Sequence, residues 1–156
     1  MSGRIGLDER SAQLQGVRLF STCTRRELGR IAHLCTPAVV DQGTRLTEQG
    51  RFGHEFFVLV DGRVSVWHNG GRVATVEKGG FFGEMSLLSG LTRSATVVAD
   101  TDLTLLVLSR AEFHSLIETA PPVAAAIIRE LSLRLHRTME RSVDGSTPIR
   151  RHLQPA

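Results

Sequence analysis

Turn signals crowd the middle of this chain so closely that little except short antiparallel strands fits between them. Gln49-Gly50, Asp61-Gly62, Asn69-Gly70-Gly71, Gly79-Gly80 and Asp100-Thr101-Asp102 separate the segments Thr44–Thr47, Phe56–Val60, Val64–His68, Val73–Val76, Ala95–Ala99 and Leu103–Leu108. Asp-Gly and Asn-Gly between β-rich runs are strong hairpin signals, because their backbone matches the twist of the flanking strands. Val64 and Val66 alternate with Ser65 and Trp67, the period of a half-buried strand. Many short strands at this spacing predict a jelly-roll-like β-roll over about residues 37–108. No strand–helix–strand rhythm is present, which argues against a doubly wound nucleotide fold.

Helical patterns flank the roll. Thr24-Arg25-Arg26-Glu27 is a capping box, and Leu28, Ile31, Ala32 and Cys35 follow on one helix face. Ser109-Arg110-Ala111-Glu112 is a second, leading into Phe113, Leu116 and Ile117. Pro121-Pro122 breaks the chain and suits the first turn of a new helix. From Val123 to about Arg141, Ala124, Ile128, Leu131, Leu135 and Thr138 form a stripe expected to pack on the roll, on a twin helix, or on both. The predicted class is mainly β with flanking helices (α+β). Residues 1–16 read as a flexible arm, 17–142 as one domain with C-terminal helices over 109–141, and 143–156 as a disordered tail.

A chain of 156 residues suits one domain, which at this size buries roughly 70% of its unfolded surface. Cys23 and Cys35 stand in no metal or redox spacing and fit a reducing compartment. No apolar run approaches the ~18 residues of a membrane span, so a soluble, cytoplasmic protein is expected, with no membrane partner. The net charge of +3 comes from the C-terminal part, where Arg129, Arg134, Arg137, Arg141, Arg150 and Arg151 outnumber Glu130, Glu140 and Asp144. A solvated helix face and tail account for that excess without nucleic acid. The histidines at 33, 54, 68, 114, 136 and 152 form no metal spacing, and no base stands assigned to Ser86. No enzymatic activity, metal or cofactor is expected.

The informative stretch runs from Gly79 to Thr96. Glycines at 79, 80 and 83 allow close backbone approach. Glu84 to Leu88 can make one helical turn whose free N–H groups suit an anion. Arg93 follows across a short loop, and its planar guanidinium fits phosphate oxygens two at a time. Glu84 is then an acceptor beside that site, suited to a ribose 2′-hydroxyl. The plain alternative is a surface ion pair between Arg93 and Glu84, worth ~0–1 kcal/mol.

Phe82-Gly83-Glu84-Met85-Ser86-Leu87-Leu88 followed by Arg93-Ser94-Ala95-Thr96 resembles the phosphate-binding cassette of cyclic nucleotide-binding domains. That family includes the catabolite activator protein, protein kinase A regulatory subunits and cyclic nucleotide-gated channels. Gly43, Leu46, Glu48–Gly50, Phe56–Leu59 and Gly62-Arg63-Val64 extend the resemblance, which covers about Leu19 to Arg141. It implies that Arg93 binds the exocyclic phosphate oxygens and that Glu84 accepts from the ribose. Phe82, Gly83, Met85, Ser86, Leu87, Ser94 and Ala95 would complete the ligand site, with Gly83, Ser86 and Leu87 contributing backbone. Thr138 falls where a helix threonine contacts adenine, although its hydroxyl can equally bond the preceding helical turn. Met139 departs from the activator's serine at the next position. The implied ligand is cyclic AMP in preference to cyclic GMP, in a free-standing sensor that signals by movement of its C-terminal helix. An effector protein or a homodimer through that helix would be its partner, since no DNA-binding domain follows. A scaffold of the same fold that no longer depends on nucleotide is the alternative.

Overall fold

The computed structural model describes residues 7–144. Two four-stranded antiparallel sheets face each other. The first orders β1 (Thr36–Val40), β8 (Leu103–Ser109), β3 (Glu55–Asp61) and β6 (Phe81–Phe82). The second orders β2 (Arg45–Thr47), β7 (Thr96–Ala99), β4 (Val64–His68) and β5 (Gly71–Val76). Helices α1 (Leu7–Gln15), α2 (Arg25–Leu34), α4 (Arg110–Thr119) and α5 (Pro121–Asp144) surround them, and α3 (Glu84–Ser89) lies between β6 and β7.

The run Phe56-Phe57-Val58-Leu59 is apolar without alternation because β3 is buried on both faces. Phe56 and Val58 join Leu106 and Leu108 of β8 in a core shared with the helices. Phe57 and Leu59 turn the other way, joining Leu103 and Leu105 inside the roll. The helix-side core also holds Phe20, Ile31, Phe113, Leu116 and Ile127, and Phe56 and Phe113 lie 4.7 Å apart between ring centroids. The roll is therefore anchored on its first sheet, while the second sheet keeps part of its inner face for a cavity.

Both capping boxes form. The Glu27 amide donates to Thr24 Oγ1 at 3.2 Å and the Thr24 amide to Glu27 Oε1 at 2.9 Å; Ser109 and Glu112 repeat the exchange at 3.2 and 2.7 Å. Asn69 and Gly70 both take positive φ, as the β4–β5 hairpin requires. The structure adds to or departs from the sequence reading at three places. Residues 7–15 of the anticipated flexible arm form α1, which packs on α2, with Leu14 fully buried. Short, weakly periodic helices gain their stability from such docking rather than from propensity. Strands β1 and β6 escaped separate notice, the latter because two residues carry no period. On α5 the buried face is Val123 and Ile127, whereas Ile128 and Leu135 are exposed. The adjacent Ile127-Ile128 pair leaves the helical phase ambiguous, and docking of Val123 in the helix-side core selects Ile127. Of the tail expected at 143–156, residues 143–144 belong to α5, while 145–156, like residues 1–6 of the arm, lie outside the described residues.

Candidate functional site

A cavity of about 850 Å³ opens between β4, β5, α3 and α5. At its inner end stands Arg93, only 8% exposed. Nη1 donates to the Gly83 carbonyl at 2.8 Å and to Ser86 Oγ at 3.0 Å, and Nη2 donates to the Glu55 carbonyl at 2.7 Å. These contacts use three of the five N–H donors of a guanidinium. No carboxylate among the described residues pairs with it. Burial pushes Arg93 below the ordinary arginine value, Glu55 and Glu84 oppose that, and Arg110 adds to it.

The local chain is shaped around this arginine. Gly83 has φ 95°, and a Cβ there would stand 2.9 Å from the Glu55 carbonyl and 3.0 Å from Arg93 Nη1. At Gly53 a Cβ would overlap the guanidinium and the Ser86 hydroxyl. Two backbone bonds lock the loops together, Gly50 N to Arg93 O at 2.9 Å and Arg93 N to Arg51 O at 2.7 Å.

Glu84, 1% exposed, does not pair with Arg93. Its Oε1 accepts from Arg134 Nη1 of α5 at 3.0 Å, and its Oε2 is buried with no hydrogen-bond partner. Burial raises the carboxyl above the ordinary glutamate value; Arg134, a backbone hydrogen bond and Arg93 pull it down, and Glu130 adds to the rise. Arg134 also donates to the Phe81 carbonyl at 2.8 Å and to Glu130 Oε1 at 3.3 Å, and lies 4.7 Å above the Phe81 ring. A buried arginine lacking an acid partner thus faces a carboxylate with one orphaned oxygen. The pair offers donors for an anion next to an acceptor for a hydroxyl.

These residues lie in a recognisable frame. The family model described as "Cyclic nucleotide-binding domain" matches residues 38–120, which carry both Glu84 and Arg93. The chain belongs to this family. It is 36% identical over 111 residues to a cyclic nucleotide-gated potassium channel of Rhizobium etli, a match covering 71% of this chain and 31% of the channel. It is 35% identical over 106 residues to a cAMP-dependent protein kinase regulatory subunit of Yarrowia lipolytica, covering 67% of this chain and 28% of that subunit. The chain therefore spans under a third of the length of these curated relatives. The Thermus thermophilus catabolite activator protein superposes with a TM-score of 0.70 at 32% identity, over 81% of this chain and 61% of that one. A cyclic nucleotide-binding domain from Methylobacillus flagellatus reaches 0.74 at 23% identity, over 91% and 85%, a likeness of fold. Among the described residues, no helix is long and apolar enough to cross a membrane.

Within this cyclic nucleotide-binding domain, Phe82, Gly83, Glu84, Met85, Ser86, Arg93, Ser94, Ala95 and Thr138 all line the cavity. Leu87 does not: its side chain is buried in the helix-side core, because the short α3 must present one apolar face to the sheet. Thr138 lines the outer end, and its hydroxyl donates to the Arg134 carbonyl at 3.0 Å. Arg134, Arg137 and Arg141, taken from the sequence as a solvated face, also line the cavity. A usable signal was present. Glu130, Arg134, Arg137 and Arg141 recur at helical spacing on a face distinct from Ile128 and Leu135.

Proposed function

We propose that this chain is a cyclic nucleotide sensor that takes cyclic AMP in preference to cyclic GMP and reports it through α5. The observation carrying the reading is the buried, acid-free Arg93, with two N–H donors left over from its protein contacts. A buried charge without a partner costs several kcal/mol, and a ligand phosphate offsets it with a charge-assisted bidentate contact. The ribose 2′-hydroxyl then donates to Glu84 Oε2, which has no other partner. The preference for cyclic AMP is supported by similarity to relatives named as cAMP-dependent kinase regulatory subunits. The role is that of a receptor rather than a catalyst.

Arg134 is the link to α5, since it ties that helix to Glu84 and Phe81. Ligand bound at Glu84 alters what Arg134 can hold, and α5 shifts by the ligand's differential affinity for its two arrangements. The helix also exposes Ile128, Leu135 and Met139. Their spacing is that of a helix seam, so a second copy of the chain is the partner this face suits.

Calorimetric titration of ligand-stripped protein with cyclic AMP and cyclic GMP tests the reading, with Arg93→Ala alongside. Truncating one member of a buried charge contact costs about 2–5 kcal/mol, or roughly 30-fold or more in affinity. Saturable binding to wild type that Arg93→Ala loses, while remaining folded, supports the sensor. No heat and no rise in melting temperature at millimolar nucleotide overturns it in favour of a nucleotide-independent scaffold.

A further inference from the structure

We propose that His68 is a base-reading residue, its Nε2 accepting a hydrogen bond from the exocyclic amino group of a purine. This rests on the sensor reading and adds a specificity contact on the sheet side of the cavity. His68 ends β4, on the same strand face as Val66, and both line the cavity. Its Nδ1 lies 2.8 Å from the Ser94 carbonyl oxygen. A carbonyl only accepts, so Nδ1 carries a ring proton, and in the neutral tautomer this leaves Nε2 as an acceptor. Nε2 has no hydrogen-bond partner among the described residues.

The chain on either side of that contact is held by a stapled seam. Gln49 Nε2 donates to Asn69 Oδ1 and the Asn69 amide to Gln49 Oε1, both at 2.8 Å. The Gln49 amide donates to Thr96 Oγ1 at 3.0 Å, and Thr47 Oγ1 to the Ala95 carbonyl at 3.0 Å. His68 is thus fixed to the residue that directly follows Arg93. A ligand whose phosphate engages Arg93 shares its cavity with His68. The cavity lining supplies apolar surface from Val66, Val73 and Val97, together with His68 of β4 and Thr138 of α5. An apolar slot with one fixed acceptor favours bases carrying an amino donor. A side chain serving only to cap the Ser94 carbonyl would show no such preference.

A ligand-and-residue cycle separates these roles. Wild type and His68→Leu are titrated by calorimetry with two nucleotide pairs, each differing by one amino group. The pairs are cyclic AMP against purine riboside 3′,5′-cyclic monophosphate, and cyclic GMP against cyclic IMP. In wild type, loss of the amine that reaches Nε2 lowers affinity about three- to tenfold; in His68→Leu the same loss makes no difference. Whichever pair responds identifies the amine. His68→Gln, which retains both a donor and an acceptor, restores part of the preference and guards against misfolding of the leucine variant. Equal loss for both members of each pair, or no change in either, overturns the assignment and leaves the sensor reading intact. Absence of binding by any of the four nucleotides to wild type overturns the sensor reading and this assignment with it.

Discussion

The two walls of the cavity handle positive charge in opposite ways. On the roll wall, Arg93 is 8% exposed, bonded to two backbone carbonyls and a serine hydroxyl, and paired with no acid among the described residues. On the helix wall, Arg134 is 30% exposed and shared between Glu84 and Glu130, and Arg137 is 55% exposed with Glu130 at the 4.0 Å limit. Neutral carbonyls hold a guanidinium in position without satisfying its charge, whereas carboxylates satisfy the charge and can be exchanged for one another. In the proposed sensor, capture and response are thereby separated. The roll supplies a fixed site with a standing deficit of negative charge, and α5 supplies contacts that can be traded.

Breaking the fixed wall has the largest effect. Gly53→Ala places a methyl group into the Arg93 guanidinium and the Ser86 hydroxyl, the nearest atoms to it. Backbone at Gly53 cannot retreat freely, because the loop is tied to the arginine's own backbone at Arg51 and Gly50. Arg93 must turn out of its three hydrogen bonds. The expected cost in nucleotide affinity is roughly 30-fold or more, comparable to truncating the charge contact itself. Calorimetry at fixed salt measures it. Unchanged affinity would mean that Arg93 is not rigidly held and that the contrast between the walls is false.

The same contrast explains what the sequence made legible. Gly83, Glu84, Ser86 and Arg93 sit within one continuous stretch whose turns and helix start are local events, so their order alone places them together. The hairpins and both capping boxes are local too, and the sequence carries them. Arg134 is different. It reaches Glu84 across a sequence separation of 50, and its placement depends on the phase of α5, which the Ile127-Ile128 pair leaves ambiguous until Val123 docks. Gly53 is another such residue, since its need for close approach arises from Arg93, far along the chain. The α1 segment was misread for a related reason: Leu14 and Val17 become a docking face only when α2 and the short turn at Arg18–Phe20 are in place. Leu87 was assigned to the ligand through its backbone, and its side chain is one that the six-residue helix turns into the core.

Glu84 lies where the two walls meet, and its titration sharpens the comparison. Burial holds its carboxyl above the ordinary value. The folded, ligand-free protein therefore binds that proton more tightly than the unfolded chain. Its contribution to stability falls as pH rises from about 4.3, the unfolded value, through the raised folded value. Glu84→Gln removes this dependence. Relative to wild type, the variant gains thermal stability as pH climbs through that window and gains none below it. Binding moves the other way, because a neutral amide oxygen is a weaker acceptor for the ribose hydroxyl than a carboxylate, and affinity for cyclic AMP falls about tenfold. Melting curves between pH 4 and 8 with and without nucleotide read both effects. A stability difference that is flat across pH would place the control of Glu84 in Arg134 rather than in burial.

The smallest effect on the ligand is expected from the far side of α5. Ile128, Leu135 and Met139 are 65%, 60% and 57% exposed, and their steps of seven and four residues keep them on one helix face. That face points away from the wall formed by Arg134, Arg137 and Thr138, so a charge placed there leaves the cavity lining untouched. Leu135→Glu puts like charges at the centre of the proposed seam between two copies, in place of apolar contact. Light scattering on the full chain is expected to give a dimer for wild type and a monomer for Leu135→Glu, with nucleotide affinity within about threefold, the size of a single weak contact. A wild-type monomer would remove the second copy as the reader of α5. A monomeric variant with a large loss of affinity would show instead that the helix wall is fixed by its partner, making it no more exchangeable than the roll.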